Sequence, residues 1–144
     1  PPQMRNTLLS FTQNGGHILL SGAYIGTDMQ LPEEQDFTHN VLKYDLMTTI
    51  STDSIGYVRG MNTQGTLYNA PNEANYWIRR ADVLQPVDEA FCTMFYHTTN
   101  YPAAIAYAGK DYRAMSFGFP LECVKEPEIR MGLFSASLRF LLEK

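Results

Sequence analysis

The first part of the chain changes from helical to strand-like hydrophobic spacing. Met4, Leu8 and Phe11 recur at helical intervals, so residues 4–14 are predicted to form an amphipathic helix. Residues 17–21 then form a short apolar run, which is typical of a strand buried on both faces. The pattern therefore predicts a helix followed by a buried strand.

Small residues directly after this strand predict a sharp turn. Gly22 and Gly26 flank Tyr24, and a helix is expected to follow them. In many α/β enzymes such a turn raises a nucleophilic Ser or Cys above the edge of the sheet. The raised position here holds Tyr24, so the sequence predicts the backbone of a catalytic site without its usual nucleophile.

The middle of the chain predicts shorter elements. Asp36 is expected to cap a helix that presents apolar residues on one face. Residues 46–50 and 55–59 are expected to be short strands on either side of a turn. The loop-rich stretch that follows is expected to contain one further strand at residues 66–68.

The last third has the clearest pattern. Residues 90–96, 103–108 and 113–119 are rich in aromatic, β-branched and small apolar residues, so three strands are predicted. A tight hairpin at Gly109 is expected to join the second strand to the third. Pro127 is expected to open a C-terminal helix, because proline is well tolerated in the first helical turn.

Composition and charge exclude several classes of protein. The chain has 144 residues, of which 44% are hydrophobic and 18% charged, as in ordinary globular domains. A formal charge of -4, with no basic patch, argues against nucleic-acid binding. No apolar stretch approaches the roughly 20 residues that span a bilayer, and no signal peptide is visible. Because the chain does not begin with methionine, we expect it to be part of something longer.

Few residues suggest metal or cofactor chemistry. Cys92 and Cys123 lie in apolar, strand-like surroundings, which favours two free thiols over a disulfide. Asp36 and His39 share one face of a predicted helix, but no third ligand is near them in sequence. We therefore expect no metal site and no cofactor.

Two separate stretches resemble one family. Residues 14–26, NGGHILLSGAYIG, are similar to the nucleophile-elbow region of class I glutamine amidotransferase-like domains. Residues 117–122, FGFPLE, lie where those domains carry a strand ending in Phe-His-Pro-Glu. The likeness extends to amidotransferase-like modules of large secreted bacterial proteins labelled xanthan lyases. It implies a flavodoxin-like fold and an extracellular or periplasmic location.

The resemblance also implies that the catalytic residues are missing. Tyr24 stands where the family has its attacking cysteine, and Phe119 stands where it has its general-base histidine. Glu122 lies one residue beyond the family's glutamate, and Leu121 occupies the matching place. A Cys–His pair is needed to form the thiolate, so this degenerate site is expected to lack glutaminase activity.

These elements together predict a three-layer α/β/α sandwich with a mixed sheet, in which residues 1–144 are one domain. We expect its parallel centre to begin at residues 17–21, and its far edge to be the antiparallel hairpin 103–119. A buried parallel strand needs parallel neighbours, and no upstream strand is available. We therefore expect preceding residues of the same parent protein, or another chain, to complete the sheet.

The first functional hypothesis is a non-catalytic amidotransferase-like module of a larger secreted, polysaccharide-related protein. It would act as a scaffold or binding platform, and no pocket of converging titratable groups is expected around Tyr24. The candidate binding residues are Ser21, Tyr24, Asp28 and Trp77. A glycan is a possible partner because flat rings stack on sugar faces, and aromatic residues gather in the middle of the chain at Tyr57, Tyr68, Tyr76 and Trp77.

Two alternatives remain open. In the first, the chain is part of a xanthan-type polysaccharide lyase, and Tyr24 is the base. This mechanism requires a cationic or amide group near Tyr24 to neutralise the uronate. In the second, an exposed sheet edge pairs with a partner chain or with another copy of this chain.

Overall fold

The fold is an α/β domain with a mixed sheet. The computed structural model describes residues 1–70, 77–97 and 100–143. Its helices are α1 (Pro2–Gln13), α2 (Ile25–Asp28), α3 (Pro32–Phe37) and α4 (Pro127–Leu142). Its strands are β1 (Ile18–Ser21), β2 (Tyr44–Ser51), β3 (Val58–Gly60), β4 (Thr63–Gly65), β5 (Arg80–Pro86), β6 (Phe91–Tyr96), β7 (Tyr101–Ala108) and β8 (Arg113–Phe117).

The main sheet has six strands in the order β1-β8-β7-β6-β3-β4, and β2 pairs with β5 in a separate antiparallel sheet. Among the described strands, only β1 and β8 run parallel to each other. The predicted mixed sheet and the β7–β8 hairpin are therefore confirmed. The predicted strand order was wrong, because this hairpin lies inside the sheet and the parallel pair lies at its edge.

The first strand is less buried than its sequence suggested. Ile18 is buried, whereas Leu19, Leu20 and Ser21 are only partly buried. The reason is that β1 pairs only with β8 among the described strands, so its other edge has no strand beside it. The apolar run was thus correctly predicted as a strand, but wrongly as a fully buried one.

The core consists of two hydrophobic clusters on opposite faces of the main sheet. On one face, Leu133 and Leu141 of α4 pack against Met115 of β8. On the other face, Ile18 of β1 packs with Phe37 of α3. Strands β2 and β5 also contribute to the second cluster, so this face of the main sheet is covered by strands as well as by helices. The complete three-layer sandwich therefore stays a prediction.

Two middle elements begin at other residues than predicted. Helix α3 starts at Pro32 rather than at a cap on Asp36, because proline fits the first turn and the Glu34 carboxylate accepts the Leu31 N–H. The short strand expected at residues 66–68 lies at Thr63–Gly65, where it pairs with β3. No helix among the described residues is both long enough and apolar enough to cross a membrane.

Candidate functional site

The predicted sharp turn between strand and helix is present at Tyr24. This residue lies between β1 and α2 with φ 67° and ψ 9°, which is the left-handed backbone conformation. A bulky residue rarely adopts this conformation, because its Cβ crowds the backbone. Such conformations persist only where surrounding contacts hold them, and they cluster at functional sites.

A buried carboxylate holds the turn in place. Asp82 Oδ2 accepts the Gly26 N–H at 2.9 Å, and Asp82 Oδ1 accepts the Thr27 hydroxyl at 2.9 Å. The side chain thereby satisfies donors at the start of α2 that no helical carbonyl reaches. Burial raises the pKa of Asp82, although the hydrogen bonds from Thr27 and Gly26 act in the opposite direction.

The carboxyl ends of β1 and β8 lie side by side. Ser21 Oγ accepts the Leu121 N–H at 2.7 Å and donates to the Phe119 carbonyl at 3.4 Å. Tyr24 and Phe119 therefore follow neighbouring parallel strands, as expected from the two matching stretches. Ser21, a candidate ligand contact, joins these two segments instead.

Phe119 belongs to the core rather than to an open site. Its side chain is fully buried, and its ring packs edge-on against Tyr96 and Phe117 at centroid distances of 6.3 and 5.6 Å. Glu122 is exposed in the short 3-10 turn Leu121–Cys123. Neither residue provides a general base beside Tyr24.

We expect Phe119→His to lower the free energy of unfolding by about 2 kcal/mol, since it places a polar ring in an apolar cluster. Combining it with Tyr24→Cys is expected to give no glutaminase activity, because the new imidazole lies inside the core. Urea unfolding and ammonia release from glutamine check the two parts. Ammonia release above that of the unaltered protein would show that position 119 faces a working site.

Tyr24 also lines an open cleft of about 530 Å³, where it is joined by Asp53, Asn69, Trp77, Arg79 and Arg80. Two candidate binding residues, Tyr24 and Trp77, are therefore brought together although they are far apart in sequence. No pocket of converging titratable groups was expected around Tyr24, yet one carboxylate and two guanidinium groups line this cleft.

The charged groups of the cleft are held in different ways. The Arg79 guanidinium carbon lies 5.6 Å from the centre of the Trp77 ring, close enough for a cation–π contact. Arg80 is fixed by hydrogen bonds to the hydroxyl and carbonyl oxygens of Thr49 at 2.8 and 2.9 Å. Asn69 Nδ2 donates to Asp53 Oδ1 at 3.4 Å. Two guanidinium groups, one carboxylate and the Trp77 ring thus line the cleft, with Arg79 lying against that ring.

Other candidate residues lie elsewhere. Asp28 lines a separate pocket beside α1. The Tyr57 ring stacks on His97 at 4.0 Å, and the Tyr68 ring carries the Lys125 ammonium at 5.6 Å. Tyr76 lies outside the described residues. Of the considered aromatic residues that the structure describes, namely Tyr57, Tyr68 and Trp77, only Trp77 lines the Tyr24 cleft.

No metal-binding cluster is found in the described ranges 1–70, 77–97 and 100–143. His39 and Asp36, which were considered as a pair, have separate partners. His39 Nδ1 lies 2.7 Å from Asp45 Oδ1, and Asp36 Oδ1 accepts a hydrogen bond from Asn40 at 2.7 Å. These contacts are those of a hydrogen-bonded polar surface.

Both cysteines are free thiols. Burial, followed by the charge of the neighbouring Glu122, raises the pKa of Cys123 to about 12. Burial also raises the pKa of Cys92. Because the thiolate is the reactive form, neither residue is poised to act as a nucleophile at neutral pH.

Asp82, Arg79 and Arg80 were missed from the sequence. Asp82 interrupts the apolar run of β5, and an acidic residue in a buried strand is an available signal of a structural or functional role. Arg79 and Arg80 are adjacent basic residues shortly after the single tryptophan. Nothing local indicated that Asp82 would bond to Gly26 and Thr27, or that Arg79 and Arg80 would line the same cleft as Tyr24.

No protein-family model and no curated protein sequence matches the chain. Solved structures with a similar fold include a polyextremophilic beta-galactosidase from the Antarctic haloarchaeon Halorubrum lacusprofundi, with a TM-score of 0.63 and 16% identity. A catalytic mutant of Gan42B, a GH42 beta-galactosidase from G. stearothermophilus, has a TM-score of 0.65 and 12% identity. The cytoplasmic protein STM3548 from Salmonella typhimurium has a TM-score of 0.65 and 12% identity.

These matches cover nearly all of this chain but only part of each neighbour. They include 96% of this chain and 20% of the haloarchaeal enzyme, 96% and 19% for the Gan42B mutant, and 95% and 59% for the Salmonella protein. The likeness is therefore to one part of larger chains. At these identities it shows a shared fold, and function has to be argued from the site.

Proposed function

We propose that this chain is a non-catalytic, amidotransferase-like module of a larger secreted, polysaccharide-related protein, and that its Tyr24 cleft binds an acidic glycan. The observation that carries the proposal is the cleft itself, in which Tyr24 and Trp77 lie with Arg79 and Arg80. Aromatic faces suit the apolar face of a sugar ring, and guanidinium groups suit carboxylates. The elbow and strand-end motifs support the amidotransferase-like assignment and the secreted location.

The charges of the cleft favour an acidic glycan over a neutral one. The protein as a whole carries a formal charge of -4, yet the cleft has two arginines against one aspartate. Two guanidinium groups therefore outnumber one carboxylate in the cleft, with Arg79 against the Trp77 ring and Arg80 donating to Thr49. A locally positive cleft attracts an anionic partner even on an acidic protein.

The single tryptophan makes the proposal directly measurable. Trp77 is the only fluorescent indole in the chain, so a saturable change in its emission reports on this cleft. We expect such a change with an oligosaccharide of uronic acids, and a much weaker one with a neutral oligosaccharide of equal length. An equal response to both sugars, or no response to either, would contradict the proposal.

Arg79→Gln is expected to weaken uronate binding about fivefold, because a solvent-exposed charged contact contributes up to about 1 kcal/mol. The same titration of Trp77 emission measures the loss. Arg139→Gln serves as the matched control, since Arg139 is an exposed arginine on α4 away from the cleft. If both variants weaken binding equally, overall charge rather than the cleft determines affinity.

The alternative of a polysaccharide lyase is favoured by one specific observation, the presence of two arginines in the same cleft as Tyr24. In that case Tyr24 removes a proton and an arginine neutralises the uronate. Ultraviolet absorbance of the unsaturated product distinguishes the two functions in the same samples. The binding function predicts no such product, whereas the lyase predicts a product that Tyr24→Phe abolishes.

A further inference from the structure

A second pocket lies on the other side of the strand-to-helix turn, and the Tyr24 cleft does not include it. This α1 pocket has a volume of about 300 Å³ and is formed by α1, β1, α2 and α3. Seven apolar residues line it, namely Pro1, Met4, Leu8, Leu20, Ile25, Met29 and Phe37. Its size and mainly apolar lining match the lower end of small-molecule sites in proteins.

The walls of the α1 pocket are held together by packing and by one ion pair. Phe37 is buried in the second hydrophobic cluster, where Leu8, Leu20 and Met29 pack against it. Arg5 Nη1 of α1 lies 3.5 Å from Glu34 Oε1 of α3, and both side chains are mostly buried. Methionine side chains adapt readily to different ligand shapes. The pocket is therefore bounded by fixed elements with two adaptable side chains.

Asp28 gives the pocket its charge preference. It is the last residue of α2, it is exposed, and it lines the pocket. No hydrogen bond or ion pair reaches its side chain from the described residues. Glu34, the other carboxylate of the pocket, is paired with Arg5. Asp28 is therefore the carboxylate of the pocket that has no partner among the described residues. This geometry suits a positively charged group above an apolar cavity.

We propose that the α1 pocket binds a small apolar molecule with a cationic end, such as an aromatic amine. The apolar body occupies the space between Leu8, Leu20 and Phe37, and the ammonium group lies near Asp28. An anionic molecule of the same shape is disfavoured, because its charge would face the unpaired carboxylate. This site does not depend on the glycan-binding proposal, since no residue lines both cavities.

The test compares phenethylamine with 3-phenylpropionate, two probes of similar shape and opposite charge. Methyl-labelled methionine gives NMR signals for Met4 and Met29 in the pocket, while Met94 and Met115 in the other cluster are internal references. We expect saturable shifts at Met4 and Met29 with the amine only. Absence of these shifts, equal shifts with both probes, or shifts at all four methionines would overturn the proposal.

Two substitutions at the same exposed position separate charge from packing. Asp28→Asn is expected to weaken amine binding about threefold, as removal of one exposed charge contact does. Asp28→Lys is expected to reverse the preference, so that 3-phenylpropionate becomes the better probe. An unchanged preference in Asp28→Lys would overturn the assignment. The glycan titration of Trp77 is expected to remain unchanged in both variants.

Discussion

Asp82→Ala is expected to lower the free energy of unfolding by about 3 kcal/mol, one of the two largest losses we predict. The substitution leaves the Gly26 N–H and the Thr27 hydroxyl without their acceptor in a buried setting. An unsatisfied buried donor costs about 1–3 kcal/mol. The loss also removes the buried carboxylate that anchors the left-handed turn at Tyr24 to β5, and leaves the hydrogen bond from the Gln30 side chain to the Gly26 carbonyl.

Urea unfolding measures this loss, and Asp111→Asn is the matched control, because Asp111 is an exposed carboxylate in the β7–β8 hairpin. Trp77 fluorescence should also respond less to uronates in Asp82→Ala, because the turn that carries Tyr24 is loosened. Unfolding free energies within about 0.5 kcal/mol of the unaltered protein would contradict a structural role of the carboxylate.

The same carboxylate gives a pH dependence of known sign. Burial raises the pKa of Asp82 above the ordinary value of 3.8, so the folded protein binds this proton more tightly than the unfolded chain. The stabilisation that comes from binding this proton is therefore complete below pH 3.8, and it is lost as the pH rises through the raised pKa of Asp82. Relative to Asp82→Asn, the unaltered protein should lose stability over that range in urea unfolding series. A relative gain would contradict the raised pKa.

Gly118→Ala is expected to lower the free energy of unfolding by about 3 kcal/mol or more. A Cβ at this position would overlap the backbone carbonyl oxygen of Asp82 and lie 3.0 Å from the Tyr96 hydroxyl oxygen. The Asp82 N–H also donates to the Gly118 carbonyl at 2.8 Å, so the two backbones cannot separate without losing that bond. Overpacking of a rigid core contact typically costs 1–3 kcal/mol, and backbone overlap costs more.

Gly132→Ala provides the control for Gly118→Ala. Gly132 lies within α4, and a Cβ there would meet nothing within 4 Å. Alanine is favoured over glycine in a helix by about 1 kcal/mol, so this variant should be more stable in urea. If both substitutions have the same small effect, the close approach of β5 to the end of β8 is not as tight as described.

The secondary structure of the last third was predictable because its signals are local. Strands β6, β7 and β8 carry continuous runs of strand-forming residues, and Pro127 marks the first turn of α4. The strand order was not predictable in the same way. The pairing of β1 with β8 joins the two ends of the chain, and an apolar run looks alike at the edge and at the centre of a sheet.

The candidate site was likewise predictable only where its signals are local in sequence. The glycines around Tyr24 indicated the sharp turn, although the left-handed residue of that turn is Tyr24 itself. The anchor of that turn, Asp82, hydrogen-bonds to Gly26 across 56 positions of sequence. The meeting of Tyr24 with Trp77 and Arg79 likewise depends on how the turn into α2 packs against β5. Contacts of this kind follow from the tertiary fold, not from any local pattern.

The central claim is that the Tyr24 cleft binds acidic glycans without altering them. A two-dimensional amide NMR titration with an oligouronate tests this most directly, because the single indole N–H of Trp77 gives one isolated signal. We predict saturable shifts of that signal and of the amides of Tyr24, Arg79 and Arg80, while the sugar spectrum stays unchanged. Unmoved cleft signals, or the appearance of an unsaturated sugar product, would contradict the account.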